Sequence, residues 1–179
     1  MLKLVACVFL ILGFSLIVHA TPQQPDILIY QNKSYGLYSA PLESYYKDYV
    51  TRPAFKIKQD EDWISNNWRG YIATWEIKND FLYLVKIDAW ICTNEERLAN
   101  KCRRAELKEL FGEKYIDDRV LANWFSGELS ISEGRRVDES SRYNPMREKE
   151  TILTVEHGKV IKSTKVNHTV KKGSLFPSG

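Results

Sequence analysis

Histidine and cysteine are scarce in this chain of 179 residues, at three each. One of each, His19 and Cys7, falls within residues 1–20. His157 and His168 are then the only imidazoles left, one expected in a turn and the other in a tail. So thin a supply argues against a histidine-dependent triad and against a His-rich metal site. A Gly-rich phosphate loop, a G-x-S-x-G elbow and an H-E-x-x-H helix are all missing as well. No catalytic residue, cofactor or metal is therefore assigned. Charge of one sign is not in excess either, with 26 basic against 23 acidic residues. Nucleic-acid binding needs a clustered basic surface, and anionic membranes attract polybasic segments. Neither partner is expected here. Internal repeats and low-complexity segments are absent.

A long hydrophobic run occurs once, at Leu4–Val18, broken only by Gly13 and Ser15. Lys3 precedes it, and Val18-His19-Ala20 closes it with small residues at the positions a leader protease reads. Residues 1–20 read as a signal peptide cleaved after Ala20. An uncleaved anchor is the rival, but the run is short for a span, which needs about 20 residues. No stable membrane span is expected after cleavage, and the mature chain is placed in the periplasm or outside the cell. Residues 21–166 suit a single domain with a real core, and residues 167–179 a frayed tail. In an exported chain, the remaining pair Cys92 and Cys102 reads as a disulfide. Half a metal site is the alternative, made poor by the lack of a nearby histidine.

What the sequence does hold is alternation. Arg69–Ile91 reads as two long strands around a turn at Asn79-Asp80, rich in β-branched and aromatic residues. That register sets Ile77 against Leu82, Trp75 against Leu84, Thr74 against Val85 and Ile72 against Ile87. It makes the hairpin apolar on both faces, so it is either covered on both or bulged so that its core face changes. It also sends Glu76 and Asp88 to opposite faces, which argues against that carboxylate pair as a glycosidase site.

Around this hairpin the chain offers further elements. Ile27–Tyr38 reads as a first hairpin turning at Asn32-Lys33, with Tyr30 against Tyr35 and Leu28 against Leu37. Leu42–Tyr46 makes either a helical turn or an aromatic loop, and Phe55–Lys58 a short strand. Gln59–Trp68 reads as a polar loop. Thr93-Asn94-Glu95-Glu96 fits a helix-capping box. Leu107, Leu110 and Phe111 lie at helical spacing before Gly112. Leu121–Ile131 reads as one strand and Ser132-Glu133-Gly134 as a turn. Arg135–Met146 is the longest expected loop, and Glu150–Lys165 is a hairpin turning at His157-Gly158. The expected fold is mainly β, a β-rich α+β domain. Its antiparallel hairpins form a curled sheet or a sandwich with one short helical insertion.

Five tryptophans are present, and a Trp ring can either fill a core or anchor a ligand. Trp75 is the most core-like. Trp63, Trp68 and Trp124 sit near expected loops or on mixed faces and are the candidate ligand-binding residues, with Glu128 beside them on a strand. At WRGYIATWEIK (68–78), FLYLVKI (81–87), WFSGELSI (124–131) and EHGKVIK (156–162), the chain resembles a group of small bacterial proteins of unassigned function. The resemblance spans roughly residues 26–165. It implies a bacterial source and a shared β-rich domain, and no catalytic residue. Three functions follow as expectations. The first is a non-catalytic envelope binding module, such as an inhibitor or immunity-type protein, whose partner is an envelope protein. The second is a domain that binds cell-wall glycan through exposed Trp and Tyr. The third is a small hydrolase using Glu128 or the acids at 60–62.

Overall fold

The computed structural model describes residues 23–48, 51–59, 62–64, 67–92, 102–137 and 146–168. The N-terminal half holds β1 (Asp26–Tyr30), β2 (Lys33–Leu37), helix α1 (Pro41–Asp48), β3 (Phe55–Gln59), β4 (Asp62–Ile64), β5 (Tyr71–Lys78) and β6 (Phe81–Cys92). There follow β7 (Cys102–Arg104), helix α2 (Leu107–Phe111), β8 (Tyr115–Ile116), β9 (Arg119–Leu121), β10 (Gly127–Arg136), β11 (Arg147–Glu156) and β12 (Lys159–Asn167). The main sheet runs β10-β11-β12-β6-β5-β1-β2. It curls until its two edge strands face each other. There Tyr35 of β2 donates a hydrogen bond to Glu133 of β10 at 2.8 Å, and Lys33 approaches the same carboxylate at 3.9 Å. The fold is thus a nearly closed, mainly antiparallel β domain. β1 and β5 run parallel to each other within it.

Among the described residues, four tight hairpin turns set the registers: Gln31-Asn32, Asn79-Asp80, Asp117-Asp118 and His157-Gly158. Both central residues of each have positive φ. That is the geometry a two-residue turn needs to match strand twist. Gly158 must be glycine for a second reason: a Cβ there would sit 2.8 Å from the Ala122 carbonyl oxygen. The turn at Gln31-Asn32 comes one residue earlier than the sequence suggested. Leu28 therefore faces Tyr35, and Asp26 faces Leu37.

The central hairpin resolves its two apolar faces by a bulge. Trp75 faces Leu84 and Ile77 faces Leu82, as read from the sequence. Beyond them, Thr74 faces Lys86 and Ile72 faces Asp88, because Val85 is left without a partner. This one extra residue moves the buried set on β6 from Leu82 and Leu84 to Ile87, Ala89 and Ile91. Tyr71, Ala73 and Trp75 on β5 face the same core and are fully buried. The bulge also returns Glu76 and Asp88 to one face of the sheet, which corrects the opposite-face expectation. Three residues of strand still separate Glu76 from Ile72, the partner of Asp88.

Among the described residues, two helices rather than one cover the domain. Pro41, Leu42, Tyr45 and Tyr46 of α1 are buried on one side, and Pro41 occupies the first helical position, where proline costs nothing. In α2, Leu107 and Phe111 are buried, and Gly112 ends the helix as expected. Leu121–Ile131 is not one strand. β9 ends at Leu121, and Ala122 to Ser126 turn the chain into β10. Gly134 sits inside β10 at an irregularity rather than in a turn. Gln59–Trp68 includes β4, which pairs with β3. The capping box at 93–96 lies outside the described residues, as do residues 1–20. Cys92 and Cys102 face each other across β6 and β7 with Cα atoms 4.5 Å apart, and they are disulfide-bonded. A disulfide of this kind is compatible with an oxidising compartment. Among the described residues, no helix is long and apolar enough to cross a membrane.

Candidate functional site

Asp26 is the least expected residue in the core, since it is fully buried at the start of β1. Its carboxylate accepts hydrogen bonds from the Ala73 amide at 3.1 Å and from Trp75 Nε1 at 3.0 Å. Arg69 Nη1 completes the set at 3.1 Å. Burial pushes the Asp26 carboxyl up to about 6, against the pull of Arg69, Trp75 and the Ala73 amide. Arg69 is buried too, and its Nη2 donates to the Gln24 carbonyl at 2.6 Å. The guanidinium lies 5.3 Å from the Tyr71 ring centroid. Two buried charges cost several kcal/mol each to desolvate, so a pair persists only where it is fully hydrogen-bonded.

The network has a geometric consequence. Arg69 belongs to the turn at residues 67–70, which is buried at every position but one. Asn67 is 3 % exposed; its Nδ2 donates to the Tyr71 carbonyl at 3.0 Å, and its Oδ1 accepts from the Arg69 amide at 3.1 Å. Arg52 donates to the Arg69 carbonyl and pairs with Glu43 of α1 at 3.3 Å. Gly70 has φ +71°, and a Cβ there would lie 2.1 Å from the Phe55 carbonyl oxygen. The exception is Trp68. Its amide donates to Gln23 Oε1 at 3.3 Å, while its side chain is 65 % exposed. A large aromatic ring is thus held in solvent by a turn whose neighbouring polar side chains are buried and paired. Tyr46 and Tyr71 line the inner side of this region, and burial raises both phenols above their ordinary range.

The other sequence candidates are placed differently. Trp124 is not at the surface: it is 9 % exposed, stacks on Phe111 at 5.7 Å and lies 4.6 Å from Tyr45. Its Nε1 donates to the Pro41 carbonyl at 3.0 Å, so the turn after β9 docks α1 onto the sheet. The backbone of Trp63 lies in β4, across from Lys58. Glu128 is exposed on the outer face of β10 and lines a cavity of about 140 Å³ with Tyr38, Ser39, Ser130, Glu150 and Ile152. The structure therefore brings none of Trp68, Trp124 and Glu128 together.

Two clusters outside these candidates were not singled out from the sequence. On β10 and β11, Ser130 Oγ donates to Glu150, whose second oxygen lies 3.0 Å from His168 Nε2. The Ser130 hydrogen bond, then that of His168, hold the Glu150 carboxyl below the usual range. The carboxylate stands between hydroxyl and imidazole, so the imidazole is not placed to take the serine proton as a nucleophile mechanism requires. A second cavity, of about 190 Å³, lies beside the Asp88–Arg104 ion pair at 2.9 Å. Among the described residues, no group of three or more His, Cys, Asp or Glu side chains could hold a metal ion. Asp60 and Glu61 lie outside the described residues. No family model, no curated protein and no solved structure matches the chain.

Proposed function

We propose that this chain is an exported envelope protein that acts as a non-catalytic binding module, with Trp68 as the anchor for a protein partner. Inhibition of an envelope-acting enzyme, or immunity against one, is the role that fits such a module. One observation carries the reading: Trp68 is displayed on a turn locked by the buried Asp26–Arg69 pair and by Asn67. Binding hot spots are enriched in Trp, and a pre-ordered anchor avoids the entropy cost of fixing it on contact. The Leu4–Val18 run and the Cys92–Cys102 disulfide support the periplasm or the exterior as its location.

The test is affinity capture from envelope extract with the mature protein and with Trp68→Ala. Trp68 is exposed, so the variant keeps the fold. A partner retained by the wild type and lost by the variant is expected, since an anchor of this kind is worth about 2 kcal/mol or more. Failure to recover any specific partner across a range of salt, or equal recovery with both proteins, overturns the proposal. The same exposed ring favours a second reading, stacking on cell-wall glycan. Titration with cell-wall fragments separates the two, because a fluorescence shift lost in Trp68→Ala supports the glycan.

A further inference from the structure

We propose that the seam between β2 and β10 carries a second binding site, separate from Trp68, for an alkylammonium or guanidinium group. The lining of the 140 Å³ cavity there combines Glu128 and Ser130 of β10, Glu150 and Ile152 of β11, and Tyr38 and Ser39 just after β2. Strand register explains the convergence. Glu128 pairs with Thr154, Ser130 with Ile152 and Ser132 with Glu150, which puts all six side chains on the outer face. Near-closure of the sheet then brings Tyr38 and Ser39 against them.

The chemistry of this lining is one-sided. Glu150 is held in place and ionised by Ser130 and His168. Glu128 has no hydrogen-bond or ion-pair partner among the described residues. No lysine or arginine lines the cavity. What remains unmatched at the cavity surface is therefore the Glu128 carboxylate, beside Tyr38, which is 44 % exposed. Ammonium and guanidinium groups are donors only, with three and five N–H bonds, and both are attracted to an aromatic face. Ile152 supplies an apolar wall for the methylenes that carry such a group. The cavity is wide enough for several water-sized groups, so a guanidinium and its first methylene fit. An anionic ligand would meet two carboxylates. A neutral hydroxylated ligand would leave Glu128 without a counter-charge.

The experiment is an amide NMR titration of the mature protein with N-acetyl-arginine methylamide and with n-butylammonium. N-acetyl-citrulline methylamide and methyl glucoside serve as neutral controls. Saturable shifts confined to the amides around Tyr38, Glu128 and Ile152 are expected, with a dissociation constant on the order of millimolar. Stronger binding of the arginine probe than of butylammonium assigns the site to a protein side chain, and the reverse order assigns it to a free amine. Either order supports a cation site. Glu128→Gln, at an exposed position, should weaken binding by about tenfold, as loss of a charged hydrogen bond does. Equal shifts with citrulline or glucoside, unchanged binding in Glu128→Gln, or no saturation with either cation overturns the proposal. Trp68→Ala should bind both cations like the wild type, which keeps this test independent of the partner-capture experiment.

Discussion

Arg69 and Asp26 meet at 3.1 Å with both side chains withdrawn from water, and each has other fixed partners. The pair joins the start of β1 to the turn before β5, where the parallel β1–β5 pairing begins. Removing either partner leaves the other charge buried and alone, a loss of about 3–5 kcal/mol. Asp26→Ala and Arg69→Ala are therefore expected to be strongly destabilised in urea unfolding. Arg69→Lys should not restore stability, since one ammonium cannot span Asp26 and Gln24 as the guanidinium fork does. A wild-type midpoint in Arg69→Lys would show that the fork geometry is not needed.

The same carboxylate sets a pH dependence with a definite sign. In the folded protein its pKa is about 6, above the roughly 3.9 of an unperturbed aspartate. The folded state therefore holds the proton more tightly than the unfolded one. Its contribution to stability is complete below about pH 4 and is lost as pH rises through about 6. Carboxyl-carbon NMR should show Asp26 titrating near pH 6. A midpoint below 4 would mean that Arg69 and the two N–H donors outweigh burial.

Part of this arrangement was readable beforehand. Trp75, the most core-like tryptophan, is fully buried, and His157-Gly158 turns where its sequence demands. Asp26 was not readable, because its partners lie far along the chain and nothing local marks an aspartate as buried. Trp124 misled for a related reason. Its strand preference is real, but packing against α1 and Phe111 places it in a turn, and tertiary contact outweighs propensity. Trp68 sits among Asn67, Arg69 and Gly70, a local composition that favours a turn, so its exposure had a signal.

The bulge at Val85 yields a third prediction. Deleting Val85 would remove the bulge but keep Trp75 against Leu84 and Thr74 against Lys86, so Ile87, Ala89 and Ile91 would still face the core in simple alternation. The deletion variant should therefore keep a dispersed amide NMR spectrum. Val85→Thr, which keeps the extra residue on a half-buried position, should keep it. A deletion variant that loses its dispersed spectrum would show that the sheet needs the extra twist the bulge supplies.

Closure of the Cys92–Cys102 loop restricts the unfolded chain, and for a sequence separation of 10 the expected gain is about 2.5–3 kcal/mol. Cys92→Ser/Cys102→Ser should lose that much in urea unfolding, and adding reductant to the wild type should lower its stability to match. Because both cysteines lie in paired strands, the reduced protein should keep its β-sheet spectrum. Loss of that spectrum on reduction would mean that the bridge maintains the sheet instead of stapling a formed one.

Trp68 brings these points to a measurement that needs no partner. Side-chain exposure of 65 % usually accompanies a mobile loop tip, but here Asn67, Arg69 and Gly70 are each fixed by buried contacts. The backbone at Trp68 should therefore be as rigid on the fast timescale as the strands, with an order parameter near the ~0.85 of ordered backbone. With fluorotryptophan labelling, its ring should show a solvent-isotope shift, while Trp75 and Trp124 show little or none. Arg69→Lys should loosen the turn and lower the order parameter at Trp68, with the ring still exposed. An order parameter below about 0.6 in the wild type would remove the argument that the buried pair serves to hold the anchor ready.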